Sequence, residues 1–507
     1  MQINKTENAI RNIRAGVLNR LITTLFPVAV RTVFIYFLGA EYLGLNGLTS
    51  SVINVLNLTE LGIGSAIIVS MYKPLAEDDL SKMCALIKCY KRVYQTIGCV
   101  VLCIGITILP ILKYLIKGTY PDDINIYVLF GISLIGTVSS YFLFAYQNSL
   151  LYVHQRNDVV SNLNSVCSCI RCILQILTII LTKNFYLYYL IEPVISIFFN
   201  IWTAYYSKKM FPQYKPKGNL LSDDVRALKN KVIALFFQKL GHVVNNSVDN
   251  IVISAFLGLV ALGKYANYYF IIYSLDLFIS IGTSSIVAGI GNSMVTNSIE
   301  KNYNDFKKFQ FILAWIIGWC SICYICLCQS FIDWWIGETF LLPIGIAALC
   351  AVYLWSNKIQ SLILTYKEAA GIWERDKYRP LFAALVNLFV NIILVQKIGL
   401  YGIVISTICS ELFINLPWSA KTICEWYFHV PLKKVLLAIM YYAVVTIGAG
   451  IITFYVCCFI TEQSFRAIIF KSIICMICPN LLFWGVYHKS RLFKDSLCEI
   501  KKIIKTF

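Results

Sequence analysis

The sequence predicts an all-α polytopic membrane protein of about 14 transmembrane helices, and three observations carry that expectation. Of 507 residues, 58% are hydrophobic and only 14% charged, against about a quarter charged in soluble domains. Apolar runs of 18 or more residues recur along almost the whole chain, the length a helix needs to cross the hydrocarbon core. The basic residues are also unevenly divided: 32 of the 44 Lys and Arg fall in alternate segments between the apolar runs, as the positive-inside rule requires.

Taken in order, the runs place spans near 15–38, 43–70, 93–112, 124–150, 159–182, 186–206 and 232–257. They continue near 265–290, 309–330, 341–366, 380–396, 401–420, 435–460 and 467–487. With the N-terminus inside, segments 1–14, 71–92, 151–158, 207–231, 291–308, 367–379, 421–434 and 488–507 are cytoplasmic and hold the 32 cations, while the outer loops hold six. Both termini are then cytoplasmic. The net charge of +18 would suggest nucleic acid on a soluble protein; here it reflects basic cytoplasmic loops, and no nucleic-acid partner is expected. The opening MQINKTENAIRN is polar and basic residues follow within the first apolar run, so no cleavable signal peptide is expected.

Gly258 to Lys264 reads G-x-x-x-x-G-K, but Tyr265 stands where a phosphate-binding loop needs Ser or Thr for magnesium. The segment is expected to be a short outer loop with no strand before it. The longest loop, 207–231, is too short for an ATPase or transferase domain. The glycines belong instead to an internal repeat. FLGAEYLG at 37–44 and FLGLVALG at 256–263 share F-L-G-x-x-x-L-G, and IGSAI (63–67) matches IGTSSI (281–286) at nearly the same offset. The chain therefore divides into an N-terminal six-helix lobe (1–206), a basic linker (207–231), a second six-helix lobe (232–420), and two extra helices with a basic tail (421–507). Both lobes start inside, which makes them parallel repeats around a central cavity, with a site at their interface. The glycines are expected to shape tight turns between closely packed helices.

Polar side chains inside the spans mark the candidate site, because they are costly in lipid and face a bundle interior or a water-filled cavity. Span one carries Arg20 and Arg31 on one face, about three turns or ~16 Å apart, with Pro27 between them. Span two aligns Asn46, Asn57 and Glu60; span five aligns Asn164, Ser168, Arg171 and Gln175; span seven stacks Lys239, His242, Asn246 and Asp249. Span ten offers Asn357, Lys358 and Gln360, span eleven Asn387 and Asn391, and span twelve Glu411, whereas the last two spans carry only Lys471 and Asn480. Each has a structural alternative. Arg20 can snorkel to the interface, single asparagines can glue helices, Glu60 can pair with Arg31, and His242 can be a hydrogen-bonded packing residue. The 19 cysteines include Cys320-x-x-Cys323, CSCIRC (167–172) and CMIC (475–478). They lie in apolar helices, where thiols serve as small hydrophobes. No metal site, disulfide framework or cofactor is expected.

The run from Pro27 and Arg31 through FLGAEYLGLNGL, LTELGIGSAI and MYKPLAEDD (71–79) resembles bacterial polysaccharide repeat-unit flippases. These belong to the multidrug/oligosaccharidyl-lipid/polysaccharide exporter superfamily. VDNIVISAFLGLVALGKYANYY (248–269), GIGNS (289–293), AAGIWERDKYRP (369–380) and IGLYGIVIST (398–407) are similar to the same family. Lys358 stands where Arg is expected in many relatives.

The resemblance implies a multi-pass protein of the bacterial cytoplasmic membrane, not an enzyme. Its implied role is to flip undecaprenyl-pyrophosphate-linked oligosaccharide from the inner to the outer leaflet for capsule, exopolysaccharide or O-antigen synthesis. Membrane lipids, a polysaccharide polymerase and a chain-length regulator are its implied partners. An anionic pyrophosphate suits Arg and Lys in a cavity, Arg through bidentate contacts. The expected substrate-binding residues are Arg20, Arg31, Arg171, Lys239 and Lys358. Glu60 and Asp249 are expected to couple transport to an ion, and Asn46, Asn57, Asn164, Gln175, His242 and Asn246 to line the cavity. A multidrug exporter of the same superfamily is the alternative, favoured by a cavity richer in carboxylates. A membrane enzyme acting on polyprenyl-linked sugars would more often show a large outer loop, and a non-transporting scaffold is a third reading.

Overall fold

A computed structural model describes residues 5–57, 63–460 and 464–506; within these ranges the side chains of 5–10, 13, 227, 230, 231, 234, 235, 237–246, 281–288, 373, 374 and 500–506 lie outside the description. Every regular element among the described residues is a helix, and none is a strand. Its α-helices are α1 (Lys5–Leu38), α2 (Ala40–Leu56), α3 (Ile63–Ala76), α4 (Leu80–Ile108), α5 (Ile126–Phe142), α6 (Asn148–Val153), α7 (Asn157–Thr182), α8 (Phe185–Met210) and α9 (Ser222–Leu257). They continue as α10 (Leu259–Thr296), α11 (Ile299–Ile336), α12 (Ile344–Ala369), α13 (Arg379–Ile398), α14 (Leu400–Cys409), α15 (Leu416–Ile423), α16 (Leu432–Cys458), α17 (Phe465–Tyr487) and α18 (Arg491–Thr506). Within the described residues, each of the fourteen expected spans falls on a helix or on consecutive helical segments. Ten helical stretches among the described residues are long and apolar enough to cross a membrane, or eleven if the pair Ile126–Phe142 and Ala145–Val153, bent by 47°, is one span. The protein is an all-α polytopic membrane protein.

The helices outrun the apolar windows. α10 and α11 have 38 residues each, about 57 Å at 1.5 Å per residue, against about 30 Å of hydrocarbon. Polar caps set several starts. Asp79 accepts from the Lys82 amide at 2.8 Å to open α4. Asn125, Asn184, Ser298 and Ser464 do the same for α5, α8, α11 and α17, each satisfying an otherwise orphaned amide.

Two compact units form, Met1–Gly263 and Lys264–Phe507, the division falling within α10. In the first, α1 packs on α7, α7 and α5 on α8, α4 on α5, and α2 and α3 on α9. In the second, α11 packs on α12, α16, α17 and α18, and α14 on α12 and α13.

The repeated glycines have two separate jobs. Gly39 and Gly258 each form a one-residue break between helices, α1–α2 and α9–α10, with φ 87° and ψ −170° at the first and φ 91° and ψ 175° at the second. That region is open only to glycine without strain. Residues 259–264, expected as an outer loop, are instead the first turns of α10. No phosphate-cradling loop exists there, since the amides after Gly258 enter helix. The second glycines, Gly44 and Gly263, serve packing: a Cβ on Gly44 would collide with the Leu259 carbonyl, and one on Gly263 with the Ala40 carbonyl.

Candidate functional site

In the first unit the polar faces of α1, α7 and α8 meet. Asn19 of α1 accepts hydrogen bonds from Asn164 Nδ2 at 3.0 Å and Ser165 Oγ at 3.2 Å. Farther toward the N-terminus, Asn12 accepts from the Asp158 amide at 2.8 Å, and Arg11 pairs with Asp158 at 3.0 Å. These bonds fix the register of α1 against α7 and so the height of the arginines above them.

Arg171 of α7 reaches α8, donating to both carboxylate oxygens of Glu192 at 2.7 and 3.0 Å. Arg31 of α1 carries a guanidinium nitrogen shielded from solvent. Phe34, one turn along α1 from Arg31, packs on the buried Tyr188 ring at 4.9 Å between centroids, and Tyr188 lies one turn along α8 from Glu192. The structure thus places Arg31 and the Arg171–Glu192 pair each about one helical turn from the Phe34–Tyr188 contact. Tyr189, one residue on, accepts a hydrogen bond from the Ser133 hydroxyl at 2.7 Å.

The remaining expected residues are distributed more widely. Arg20 is half-buried and forms no ion pair among the described residues. Asn46 is half-buried, Gln175 is buried, and Asn57 accepts from the Tyr141 hydroxyl at 3.0 Å. Asp249 is buried on α9, next to Asn250, whose amide donates to Ser51 Oγ at 2.9 Å. Glu60 and the side chains of Lys239, His242 and Asn246 lie outside the described residues.

The second unit holds a charge-balanced network. Lys358 of α12 pairs with Asp276 of α10. Lys367, at the end of α12, and Arg379, at the start of α13, both pair with Asp376. Arg379 also donates to Asn415. Lys367, Asp376, Arg379 and Glu411 are 3%, 4%, 8% and 4% exposed, so these charges are neutralised by neighbours rather than by water. Glu411 and Asn415 occupy a π-helical segment, Ser410–Asn415. The wide turn frees the Asn415 carbonyl to accept from Gln360 Nε2 at 3.0 Å; such bulges often occur at functional positions. Asn387 and Asn391 join Ser406 and Thr407 in a chain of hydrogen bonds between α13 and α14.

Several partners escaped the sequence reading. Glu192 and Asp276 are each a lone acid within an apolar run, and that signal was sufficient to flag them. Asp376 and Arg379 were not flagged because they sit in a charged segment that reads as a solvated loop.

No protein-family model matches the sequence, and no curated protein is similar enough to match. Among solved structures, the chain is similar to the lipid II flippase MurJ in an inward closed conformation, with TM-score 0.66 and 14% identity over 94% of this chain and 99% of that one. It is also similar to an inward-facing multidrug resistance MATE family transporter of the MOP superfamily, with TM-score 0.61 and 15% identity over 81% and 95%. A third is a point mutant of the Vibrio cholerae MATE transporter VcmN, with TM-score 0.56 and 14% identity over 85% and 99%. The chain has the fold of these transporters and of this flippase.

Proposed function

We propose that the protein moves undecaprenyl-pyrophosphate-linked oligosaccharide repeat units from the inner to the outer leaflet of the bacterial cytoplasmic membrane by alternating access. The placement of Arg31 and the Arg171–Glu192 pair within a turn of the Phe34–Tyr188 contact supports this reading. An Arg at bilayer depth costs about 2.5–3.5 kcal/mol on insertion scales, and two of them on neighbouring helices suit a pyrophosphate held by bidentate hydrogen bonds. Glu192 then acts as a gatekeeper that holds Arg171 until phosphate displaces it. Arg20, Lys239 and Lys358 supply further positive charge, and Asn46, Asn57, Asn164, Gln175, His242 and Asn246 offer hydrogen bonds to sugar hydroxyls. Glu60 and Asp249 couple the cycle to an ion. The fold shared with a lipid II flippase supports a lipid-linked substrate; the polymerase and chain-length regulator implied by the resemblance would take up the product. The lobe boundaries 1–206, 207–231, 232–420 and 421–507 belong to the same reading, as does the cytoplasmic placement of both termini.

A multidrug exporter is the second reading, favoured by the likeness to MATE transporters. Leaflet-resolved measurement of lipid-linked oligosaccharide in cells separates the two. Arg31→Lys and Arg171→Lys should each reduce flipping about tenfold or more, because a point charge replaces the planar fork. Glu192→Gln should leave flipping measurable and lower the substrate concentration needed for half-maximal rate. If both lysine variants flip at the wild-type rate, the phosphate assignment is wrong.

A further inference from the structure

The C-terminal helix pair carries a chemistry that the transport reading does not use. Cys326 of α11, Cys457 of α16 and Cys475 of α17 are all buried, and their three sulfurs lie within 4.8 Å of one another. The Cys457 and Cys475 sulfurs are 4.0 Å apart. At a metal–sulfur distance of about 2.3 Å, three sulfurs arranged in a triangle around one ion sit about 4 Å apart. Helix packing has already brought the Cys457 and Cys475 thiols to that spacing and the Cys326 thiol to within 4.8 Å of both.

The donor set selects the ion. A structural zinc site needs four ligands, and among the described residues this cluster holds three sulfurs with no histidine or carboxylate in the group. Three soft sulfurs suit a monovalent soft cation, copper(I) above all. A cavity of about 210 Å³ abuts the cluster, lined by Cys326, Cys457, Gln329, Ser330, Phe454 and Lys471. It gives an ion a way in. The Lys471 ammonium, which donates to Ser330 at 2.9 Å, lines the same cavity. Binding one copper(I) displaces three thiol protons and leaves the centre with a charge of −2, which the Lys471 cation halves.

We propose that Cys326, Cys457 and Cys475 form a trigonal thiolate site for one copper(I) ion, which clamps α16 and α17 onto α11. The site is independent of the flippase reading and stands or falls separately. Its ligands come from three different helices, and Cys320 and Cys323, the C-x-x-C pair of α11, are not members.

The test uses the purified full-length chain, kept reduced and anaerobic, titrated with copper(I) delivered from a competing chelator and, separately, with silver(I). One tightly held equivalent should appear, with an ultraviolet thiolate-to-metal absorption and a rise in melting temperature, since a ligand bound only by the folded state stabilises it. Cys457→Ser and Cys475→Ser should abolish all three signals. Cys458→Ser and the double variant of Cys320→Ser and Cys323→Ser should keep them. Alkylation mapping of the wild-type chain needs no substitution: one equivalent of silver(I) should protect Cys326, Cys457 and Cys475 together. Equal metal uptake by Cys457→Ser, Cys475→Ser and wild type overturns the proposal. So does protection of other cysteines, or no tight equivalent in the wild-type chain.

Discussion

Gly44 of α2 lies directly against the Leu259 carbonyl at the start of α10, and Gly263 of α10 lies against the Ala40 carbonyl at the start of α2. The two copies of F-L-G-x-x-x-L-G therefore pack on each other reciprocally. Each copy uses its first glycine to turn and its second to admit the other copy's backbone.

This contact makes a specific demand on side-chain size. The obstruction at Gly44 and Gly263 is backbone, so no rotamer change can relieve it. Gly44→Ala and Gly263→Ala should each cost about 1–3 kcal/mol, the usual range for overpacking, read as a lowered melting temperature in detergent. Gly289→Ala is the control, because a Cβ there meets nothing within 4 Å. Equal melting temperatures for all three variants would mean that the close approach is not required.

The connection between α8 and α9 and the first turn of α9 are tied to α4. Lys82 Nζ pairs with Asp224 at 2.7 Å, and Lys88 donates to Asn219 at 3.0 Å. Both ends of the ion pair are partly exposed, so it contributes about 0.2–1 kcal/mol and weakens with salt. Asp224→Lys should speed proteolytic cutting in segment 211–221 several-fold. Adding Lys82→Asp should restore the wild-type rate; no rescue by the swap would show that the pair does not hold this connection.

Asp376 is the keystone of a buried cation pair. Without it, Lys367 and Arg379 face each other with no carboxylate between them. Breaking a buried pair in this way costs about 3–5 kcal/mol. Asp376→Asn should sharply lower melting temperature and membrane yield, whereas Asp305→Asn, which breaks the more exposed Lys308 pair, should change little. Comparable losses in the two variants would count against the buried network.

Membrane sidedness follows from the basic asymmetry and can be read by labelling. Single cysteines introduced by Thr119→Cys and Glu338→Cys should react with an impermeant thiol reagent in intact cells, above the background of the native cysteines. Those from Lys217→Cys and Ser490→Cys should react only after the membrane is opened. Labelling of position 217 from outside would invert the proposed topology.

Much of this architecture was legible because lipid enforces it. A bilayer permits only helices of a set minimum length in a chain of this composition, so the apolar runs alone located the helices. The repeat was legible too, since glycine at Gly39, Gly44, Gly258 and Gly263 is conspicuous at matched spacing. The sequence by itself also marked Arg31, Arg171 and Lys358, because charge within an apolar run is rare. What tertiary structure decided was partnership. Nothing in the chain order joins Arg171 to Glu192, Lys358 to Asp276, or Gly44 to Leu259, because each pair is set by how helices pack. The cysteines make the same point. Read along a helix, Cys320 and Cys323 looked like the natural pair, yet the sulfurs that meet belong to Cys326, Cys457 and Cys475. A one-dimensional pattern records which face a residue occupies, and only packing between helices determines which faces meet.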